Sequence, residues 1–471
     1  MKAQKKEPKK ILHNLKEVVR RELEIELDKE HQKADWSDEL TPEMVEYAAK
    51  DAQVLLPLAQ VFESKVVDVG VERVVEIEHR ALPAMVWMAN AGIPFDAVGW
   101  EEHLKKIGEE IGGLKEELNV LVCERPRGEE WNWDSPQQTK EALSLVGLNL
   151  PNTGRKTLSR CNHPVADTLL KYRKASKMVS AFGPKLLRCM HSDGRIYASW
   201  RQIGAATGRM SCSKPNLQQI PNETLRRYIR ALEGRVVVAA DYSQAELRIL
   251  AKASGDPALV KAFVAGRDSY KATAAGMFGA PEGEVTPEQR SKAKGVNLSI
   301  IYGTTPQGLA EGLDINVQEA RDLMNRYFKA HPIVKAYLDE TVNDAMSTGA
   351  ARTLTGRIRW FGDPKALRGA KRKAAKRRAM NFPMQGTCAD GLKLALALLH
   401  ERRYECPGAV PILALHDEIM VECDESDVEK VKAWLEKAMI DGMDEVVNAP
   451  EIKGPHVPIE VDVKSGRTWE G

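Results

Sequence analysis

Two apolar stretches far apart in the sequence set the terms for how this chain can fold. Val236-Val-Val-Ala-Ala240 is a short run fit for a buried strand, and so are Val410-Pro-Ile-Leu-Ala-Leu415 and Ile419-Met-Val-Glu-Cys423. Roughly 170 residues separate the first run from the second, and helical periodicity returns over about 255–345. Sheet material split in this way predicts one composite α+β domain built around a helical insertion. Upstream, residues 97–190 carry long amphipathic patterns such as Glu101-Glu-His-Leu-Lys-Lys-Ile-Gly-Glu-Glu-Ile111 and few strand signals. They predict an elongated helical subdomain, interrupted by a capping-type turn near Trp133-Asp-Ser-Pro-Gln137. Arg195-Ile-Tyr-Ala-Ser-Trp200 alternates like a strand, and residues 1–66 are charge-dense and mostly helical in pattern. A length of 471 residues predicts two to four domains, with no internal repeat or low-complexity linker.

Composition closes off several function classes. Lys and Arg number 69 against 67 Asp and Glu, a net charge of +2, which argues against a histone-like coat but leaves room for a local basic groove. Hydrophobic residues at 43% and charged residues at 29% describe a chain able to bury sizeable cores. No apolar run approaches the roughly 18 residues of a membrane span. No signal core follows the start Met1-Lys-Ala-Gln-Lys-Lys-Glu-Pro-Lys-Lys10, so a cytoplasmic location is expected. Cysteines 123, 161, 189, 212, 388, 406 and 423 are scattered without a C-x-x-C, which reads as reduced, packed thiols. Neither H-E-x-x-H nor a G-x-x-x-x-G-K-[ST] loop occurs, so zincin and P-loop chemistry are not suggested.

Three segments carry chemistry. The first runs from Val236 to Leu250, where a strand delivers Asp241 at its end and Ser243 and Glu246 look like the cap and first turn of a helix. A carboxylate placed so can hold a metal ion beside phosphate, or it can simply start the helix. The second is His416-Asp417-Glu418 between two apolar strands, a tight hairpin that exposes acids at its tip. Magnesium readily sits on two carboxylates plus substrate phosphates, while an ordinary hairpin also carries polar turn residues. The third places Arg290, Lys294, Leu298 and Tyr302 at successive i, i+4 steps. Each step drifts roughly 40°, so all four share one helix face. Two cations followed by an apolar and an aromatic side chain match a nucleotide, with charges for the triphosphate and flat surface for base and sugar, while an ordinary boundary helix can carry the same face.

Taken together, the three segments resemble the family A DNA polymerases, the bacterial DNA polymerase I type. Asp-Tyr-Ser-Gln-x-Glu-Leu-Arg at 241–248 is similar to that family's motif A, Arg290 to Gly303 to motif B, and His416-Asp417-Glu418 to motif C. Thr207-Gly-Arg209-Met-Ser, Pro215-Asn216-Leu-Gln218-Gln-Ile-Pro and Arg377-Arg-Ala-Met-Asn381-Phe-Pro-Met-Gln385-Gly-Thr join them in the family's order, over roughly residues 70–471. The resemblance implies a right-hand polymerase fold, with an antiparallel palm sheet and helical thumb and fingers. Its implied divisions are an exonuclease-domain remnant at 1–66, the start of the polymerase domain at 67–96, thumb at 97–190, palm at 191–252 and 375–471, and fingers at 253–374.

The implied activity is template-directed addition of dNTPs to a primer 3′-hydroxyl, with two magnesium ions, or manganese in their place, held by Asp241 and Asp417. Glu418 would be an accessory acid near that site. Arg290 and Lys294 would hold the triphosphate, Lys294 also serving as proton donor to pyrophosphate, with Gln244, Leu298 and Tyr270 around the nucleotide. Glu246 would block a ribose 2′-hydroxyl, and Tyr302 would close against the templating position. Arg209, Asn216, Gln218, Arg377, Asn381, Gln385 and His416 would contact primer or template near the terminus. Lys171 to Lys177 would be the thumb's duplex contact. Lys365 to Arg378, with eight Lys/Arg and no acid, reads alone as a solvated face, and beside Arg377 as a phosphate-tracking surface. Expected partners are primer–template DNA and dNTPs, with no membrane, and the chain is expected to act as a monomer in a bacterial cell or phage-infected host. The implied sugar check says nothing of the template strand, so RNA-templated synthesis stays open.

The sequence departs from the family in places. Leu298 stands where Phe or Tyr is usual, which predicts poor dideoxynucleotide use, and Tyr270 stands where a phosphate-contacting His is common. The link from Pro221 to Val236 is shorter than usual. Tyr47-x-x-x-Asp51, with His13 and the stretch Asp28 to Trp36 before it, resembles the tail of a 3′–5′ exonuclease domain. Asp28-Lys-Glu30 falls in a charged helical stretch after the point where that domain's catalytic acids should have appeared, so a truncated domain without proofreading is expected, and no 5′-nuclease domain. Two readings rival the polymerase: a nuclease built on Tyr47 and Asp51, which lacks the other acids, and a non-catalytic nucleic-acid-binding module, which intact Asp241, Asp417 and Lys294 argue against.

Overall fold

The computed structural model describes residues 13–37, 39–122, 125 and 129–469. Compactness divides the chain into two units, Met1–Glu76 and Ile77–Gly471. In the first, helices Leu15–Leu23, Pro42–Gln53 and Leu55–Val69 gather a small core of Val19, Leu27, Val54 and Leu58. Asn14 and Thr41 start two of these helices by accepting from the backbone N–H three residues on, at 3.0 and 3.3 Å. The stretch around Asp28 and Glu30 is not helical, apart from a single 3₁₀ turn at Glu30–Lys33. The Asp28 carboxylate accepts from the N–H of Glu30 at 3.0 Å, a local bond that competes with helix propagation.

The second unit is organised by a four-stranded antiparallel sheet. Its strands are β1 (Arg235–Tyr242), β2 (Val410–Leu415), β3 (Glu418–Asp424) and β4 (Val461–Gly466), in the order β4-β1-β3-β2. Alternation sends Val237 and Ala239 to one face, with Trp100, Ile107 and Met178, and sends Val238, Ala240 and Tyr242 to the other. Both faces are covered, which is why β1 reads as an unbroken apolar run rather than an alternating one. The first face packs on helices α1 (Ala97–Leu121) and α2 (Pro164–Phe182). Ser135 caps the helix after the Trp133 turn, as the sequence predicts.

The stretch Arg195–Trp200 is not one strand. Arg195–Ile196 pairs with Ile93–Pro94, and Ser199–Arg201 pairs with Ser211–Ser213, so two different partners break it. After β1 come α3 (Ala245–Ser254), α4 (Ser269–Phe278) and α5 (Pro287–Ile301), then further helices to Thr348. The covering face of the sheet is α6 (Gly369–Glu401) against α7 (Val428–Val447). Their close approach needs glycine. A Cβ on Gly442 would lie 2.8 Å from the Ala395 Cα, and one on Gly391 2.5 Å from the Met443 sulfur. No helix among the described residues is long and apolar enough to cross a membrane. The six described cysteines are free thiols, and Cys123 lies outside the described residues.

Candidate functional site

The sheet delivers the acids. Asp241 is the penultimate residue of β1, opposite Glu418 in β3 and Asp462 in β4. The β2–β3 turn is His416 and Asp417 alone, with Leu415 facing Glu418. His416 takes a left-handed backbone, φ 58°, a strained choice for a residue with a side chain. The Tyr242 N–H donates to the Asp417 carbonyl at 3.2 Å, which folds the hairpin tip over the end of β1. There the Asp241 and Asp417 side chains share a hydrogen bond. Burial, then the Asp417 charge, push Asp241 up to about 7. Burial also raises Asp417, against the pull of Arg209. Two hydrogen-bonded acids, with no ion-paired cation among the described residues, hold a proton between them. Glu418 is otherwise engaged: the Trp469 indole N–H donates to it at 2.7 Å, and Arg226, stacked on Trp469, lies 3.5 Å away.

A second group of side chains starts where β1 ends. Ser243 is not the helix cap; its N–H is held by the Glu460 carbonyl at 2.9 Å, and the chain turns at Gln244 with φ 57°. Glu246 sits in the first turn of α3, as the sequence predicts. It pairs with Arg209 at 2.9 Å and accepts a hydrogen bond from the Tyr302 hydroxyl. Burial raises the Glu246 carboxyl, and burial with the neighbouring Glu246 pushes Tyr302 up to about 12. Between these groups lies a cleft of about 250 Å³, lined by Arg209, Gln244, Glu246, Tyr270, Leu298, Tyr302, His416 and Asp417 among others. Burial and Arg209 lower the His416 pKa, so the ring is neutral near pH 7. Gln244 is fixed by the Ser269 hydroxyl.

Helix α5 opens with a capping box, Thr286 with Gln289, and Pro287 in its first turn. Arg290, Lys294 and Leu298 follow along one face, and Tyr302 closes the helix. Arg290 is held by Asp268 at 2.6 Å, and the Arg290 and Lys294 charges lie 5.5 and 5.9 Å from the Tyr270 ring centre. Leu298 and Tyr302 stay 40% and 46% exposed, so two apolar surfaces face the cleft uncovered.

Other residues singled out in the sequence stand outside the cleft lining. Asn216 caps a short 3₁₀ turn, and the Gln218 amide donates to the Ala414 carbonyl at 3.3 Å. Asn381 is buried, its amide donating to the Ile301 carbonyl at 3.1 Å, while Gln385 is half-buried and Arg377 exposed on α6. Sequence reasoning missed Asp462, beside Asp241, and the buried Asn297, whose Oδ1 has no hydrogen-bond partner. It also missed a buried ionic cluster behind the cleft. Arg357 reaches Glu78 and Asp390, both at 2.6 Å, and Lys393 reaches Glu78 at 2.5 Å. The Arg357 side chain lies against Gly208, where an added Cβ would come within 2.7 Å of its Nε. Among the described residues no group of three or more His, Cys, Asp or Glu side chains is gathered to hold a metal ion. The Asp241–Asp417 pair is the donor set that fits one, because a divalent ion in place of the shared proton would neutralise both carboxylates.

Residues 101–471 match the family described as DNA polymerase family A, and residues 1–67 match one described as 3′–5′ exonuclease. The chain is 35% identical over 413 residues to the thermostable DNA polymerase I of Thermus aquaticus, covering 84% of this chain and 48% of that protein. It is also 35% identical over 406 residues to DNA polymerase I of Pseudomonas aeruginosa, covering 82% and 44%. The chain thus spans about half the length of these relatives. Among solved structures it resembles the POL domain of Pol1 from M. smegmatis in complex with DNA primer-template and dNTP. That likeness has a TM-score of 0.84 and 28% identity, over 98% of this chain and 80% of that one.

Proposed function

The chain belongs to DNA polymerase family A, and from that premise we propose that it extends a primer 3′-hydroxyl with dNTPs under the direction of a template. The observation that carries the reading is the cleft where Asp417, hydrogen-bonded to Asp241, faces Leu298 and Tyr302, with Arg290 and Lys294 earlier along the same helix face though outside the cleft lining. In this reading, residues 97–190 are the thumb, 191–252 and 375–471 the palm, and 253–374 the fingers. The solved relative bound to primer-template and dNTP supports these partners.

Asp241 and Asp417 would hold two divalent ions, magnesium or manganese. Bound there, the ions supply activation of the 3′-hydroxyl and charge compensation at the leaving pyrophosphate. Lys294, beside the Tyr270 ring, binds the triphosphate and gives a proton to the departing pyrophosphate oxygen. Arg290 joins it by exchanging its Asp268 partner for phosphate oxygens. Glu246, fixed by Arg209 and Tyr302, fills the space a 2′-hydroxyl would need. The same residues leave the template sugar uninspected, so an RNA template is compatible with this site.

Residues 1–67, as they stand here, are read as inactive in proofreading. Lys29 lies 3.4 Å from the Tyr47 hydroxyl and 3.5 Å from the Asp51 carboxylate, so an ammonium neutralises the acid that a metal would need. One experiment tests both statements: labelled primer on matched DNA and RNA templates, with magnesium, with and without dNTPs. Extension by wild type that disappears in Asp417→Ala supports the reading, and the RNA lane fixes template range. No extension by folded wild type that still binds primer–template refutes it. Shortening of the primer without dNTPs, abolished by Asp51→Ala, refutes the second statement.

A further inference from the structure

A third carboxylate stands next to the Asp241–Asp417 pair, and its oxygens are spoken for. Glu418 in β3 lies directly opposite Asp241 in β1, so the two residues share one face of the sheet. Opposed residues of antiparallel strands have Cβ atoms roughly 4.5–5.5 Å apart, and the Glu418 charge is among those that raise Asp241. That spacing would let Glu418 join the pair around one ion. Instead the Trp469 indole N–H donates to Oε1 at 2.7 Å, and the Arg226 guanidinium stands 3.5 Å from Oε2. Asp241 is exposed, whereas Glu418 is buried beside the buried Trp469.

The tether is itself built in. The guanidinium carbon of Arg226 lies 3.7 Å from the indole ring centre, so cation, ring and carboxylate form one unit. Backbone bonds fix both donors. The Trp469 N–H donates to the Ile229 carbonyl at 3.1 Å, and the Ile229 N–H to the Arg226 carbonyl at 3.0 Å. A buried acid held by arginine is not in itself a functional sign. Glu422, two residues further along the same face, is fully buried against Arg195 and Arg235. It stands opposite Val237, however, in the apolar core. Glu418 combines such a tether with a place beside the acids that fit a metal ion.

We propose that Trp469 and Arg226 are positioning residues that keep Glu418 out of the ion site, so that the ions rest on two carboxylates and not three. The inference rests on the polymerase reading and deepens it. Affinity for a hard cation rises with the number of charged oxygens around it, and magnesium at phosphate-transfer sites uses one or two carboxylates plus substrate phosphates. A third carboxylate would occupy a position that the triphosphate needs, and would hold the ion more tightly when pyrophosphate leaves.

Manganese titration followed by electron paramagnetic resonance, on the full chain without DNA or nucleotide, tests this. The ion counted is the one lost in Asp417→Ala. Trp469→Phe keeps an aromatic ring and removes the N–H. It should tighten that ion about tenfold, the low end of the change made by altering a ligand's hydrogen-bond partner. Arg226→Gln should tighten it in the same direction, and decides the matter if Trp469→Phe does not fold. Both gains should disappear when Glu418→Gln is added, and Glu418→Gln alone should stay within about threefold of wild type, the scale of a charge acting through solvent. Unchanged affinity in the folded variants overturns the inference alone, as do gains that survive Glu418→Gln. A loss of about tenfold or more in Glu418→Gln by itself also overturns it, because Glu418 would then already be a ligand. Manganese binding that Asp417→Ala leaves intact removes the ion from this pair, and with it both the inference and the metal site of the polymerase reading.

Discussion

Two clusters of charge lie in the second unit, one buried and one open to solvent at Asp241, and they are built on opposite principles. In the Glu78, Arg357, Asp390 and Lys393 cluster, two acids meet two bases at 2.5 to 2.6 Å, and Thr355 adds a hydroxyl to Asp390. In the Asp241–Asp417 pair, the charges acting most strongly on Asp241 are further acids, Asp417, Glu418 and Asp462. A balanced cluster satisfies itself and holds α6 to the segments around Glu78 and Arg357. An unbalanced one leaves its acids sharing a proton, and in the proposed reading a cation takes that proton's place.

The contrast can be broken by experiment. Lys393→Met should cost about 3 kcal/mol of stability, the low end for breaking a buried ion pair, because Glu78 keeps Arg357. Denaturant unfolding measures it, and a loss under about 1 kcal/mol would show the cluster contributes little. Asp241→Asn should act in the opposite direction in EDTA. A carboxyl raised from 3.8 to about 7 in the folded protein binds more protons than in the unfolded chain, so its penalty is absent below about pH 4 and full above about pH 7. The variant should therefore match wild type at pH 4 and exceed it at pH 8 by no more than about 2 kcal/mol, since solvent at the cleft mouth screens the charge. Thermal melts at the two pH values decide it, and equal gains at both would remove the acid-pair explanation. Smaller still is Leu298→Tyr, which places a hydroxyl on the exposed cleft wall. Dideoxynucleotide use relative to dNTP should rise by up to about tenfold, the scale of one hydrogen bond. Unchanged selectivity in competition assays would exclude Leu298 from the sugar subsite.

What the sequence discloses follows from which interactions are local. β1 was legible because burial on both faces leaves an apolar run, and the Asp417 hairpin because two such runs flank a short polar turn. β4 was not, because it lies at the sheet edge with only partial burial, and Val461-Asp-Val-Lys-Ser-Gly466 has no continuous apolar stretch. Ser243-Gln-Ala-Glu246 spells a capping box, yet the sheet keeps the Ser243 backbone and Gln244 makes the turn. Leu298, Tyr302, Glu246 and Asp417 were recognised and do meet around one cleft. The partners that fix them did not show: Asp268 for Arg290, Trp469 for Glu418, Arg357 beneath Gly208. Glu78 and Lys393 stand 315 positions apart, and no periodicity links residues at that range.

The claim that the unbalanced pair is the chemistry and the balanced cluster the scaffold is tested most directly by single-turnover nucleotide incorporation, with Asp417→Asn and Lys393→Met measured beside wild type at equal folded fraction. The account predicts a fall of about 10²–10³-fold or more for Asp417→Asn with stability kept or raised, the scale of losing one preorganised charge at a transition state. For Lys393→Met it predicts a rate within about tenfold of wild type despite lost stability. Incorporation by Asp417→Asn at the wild-type rate would contradict it.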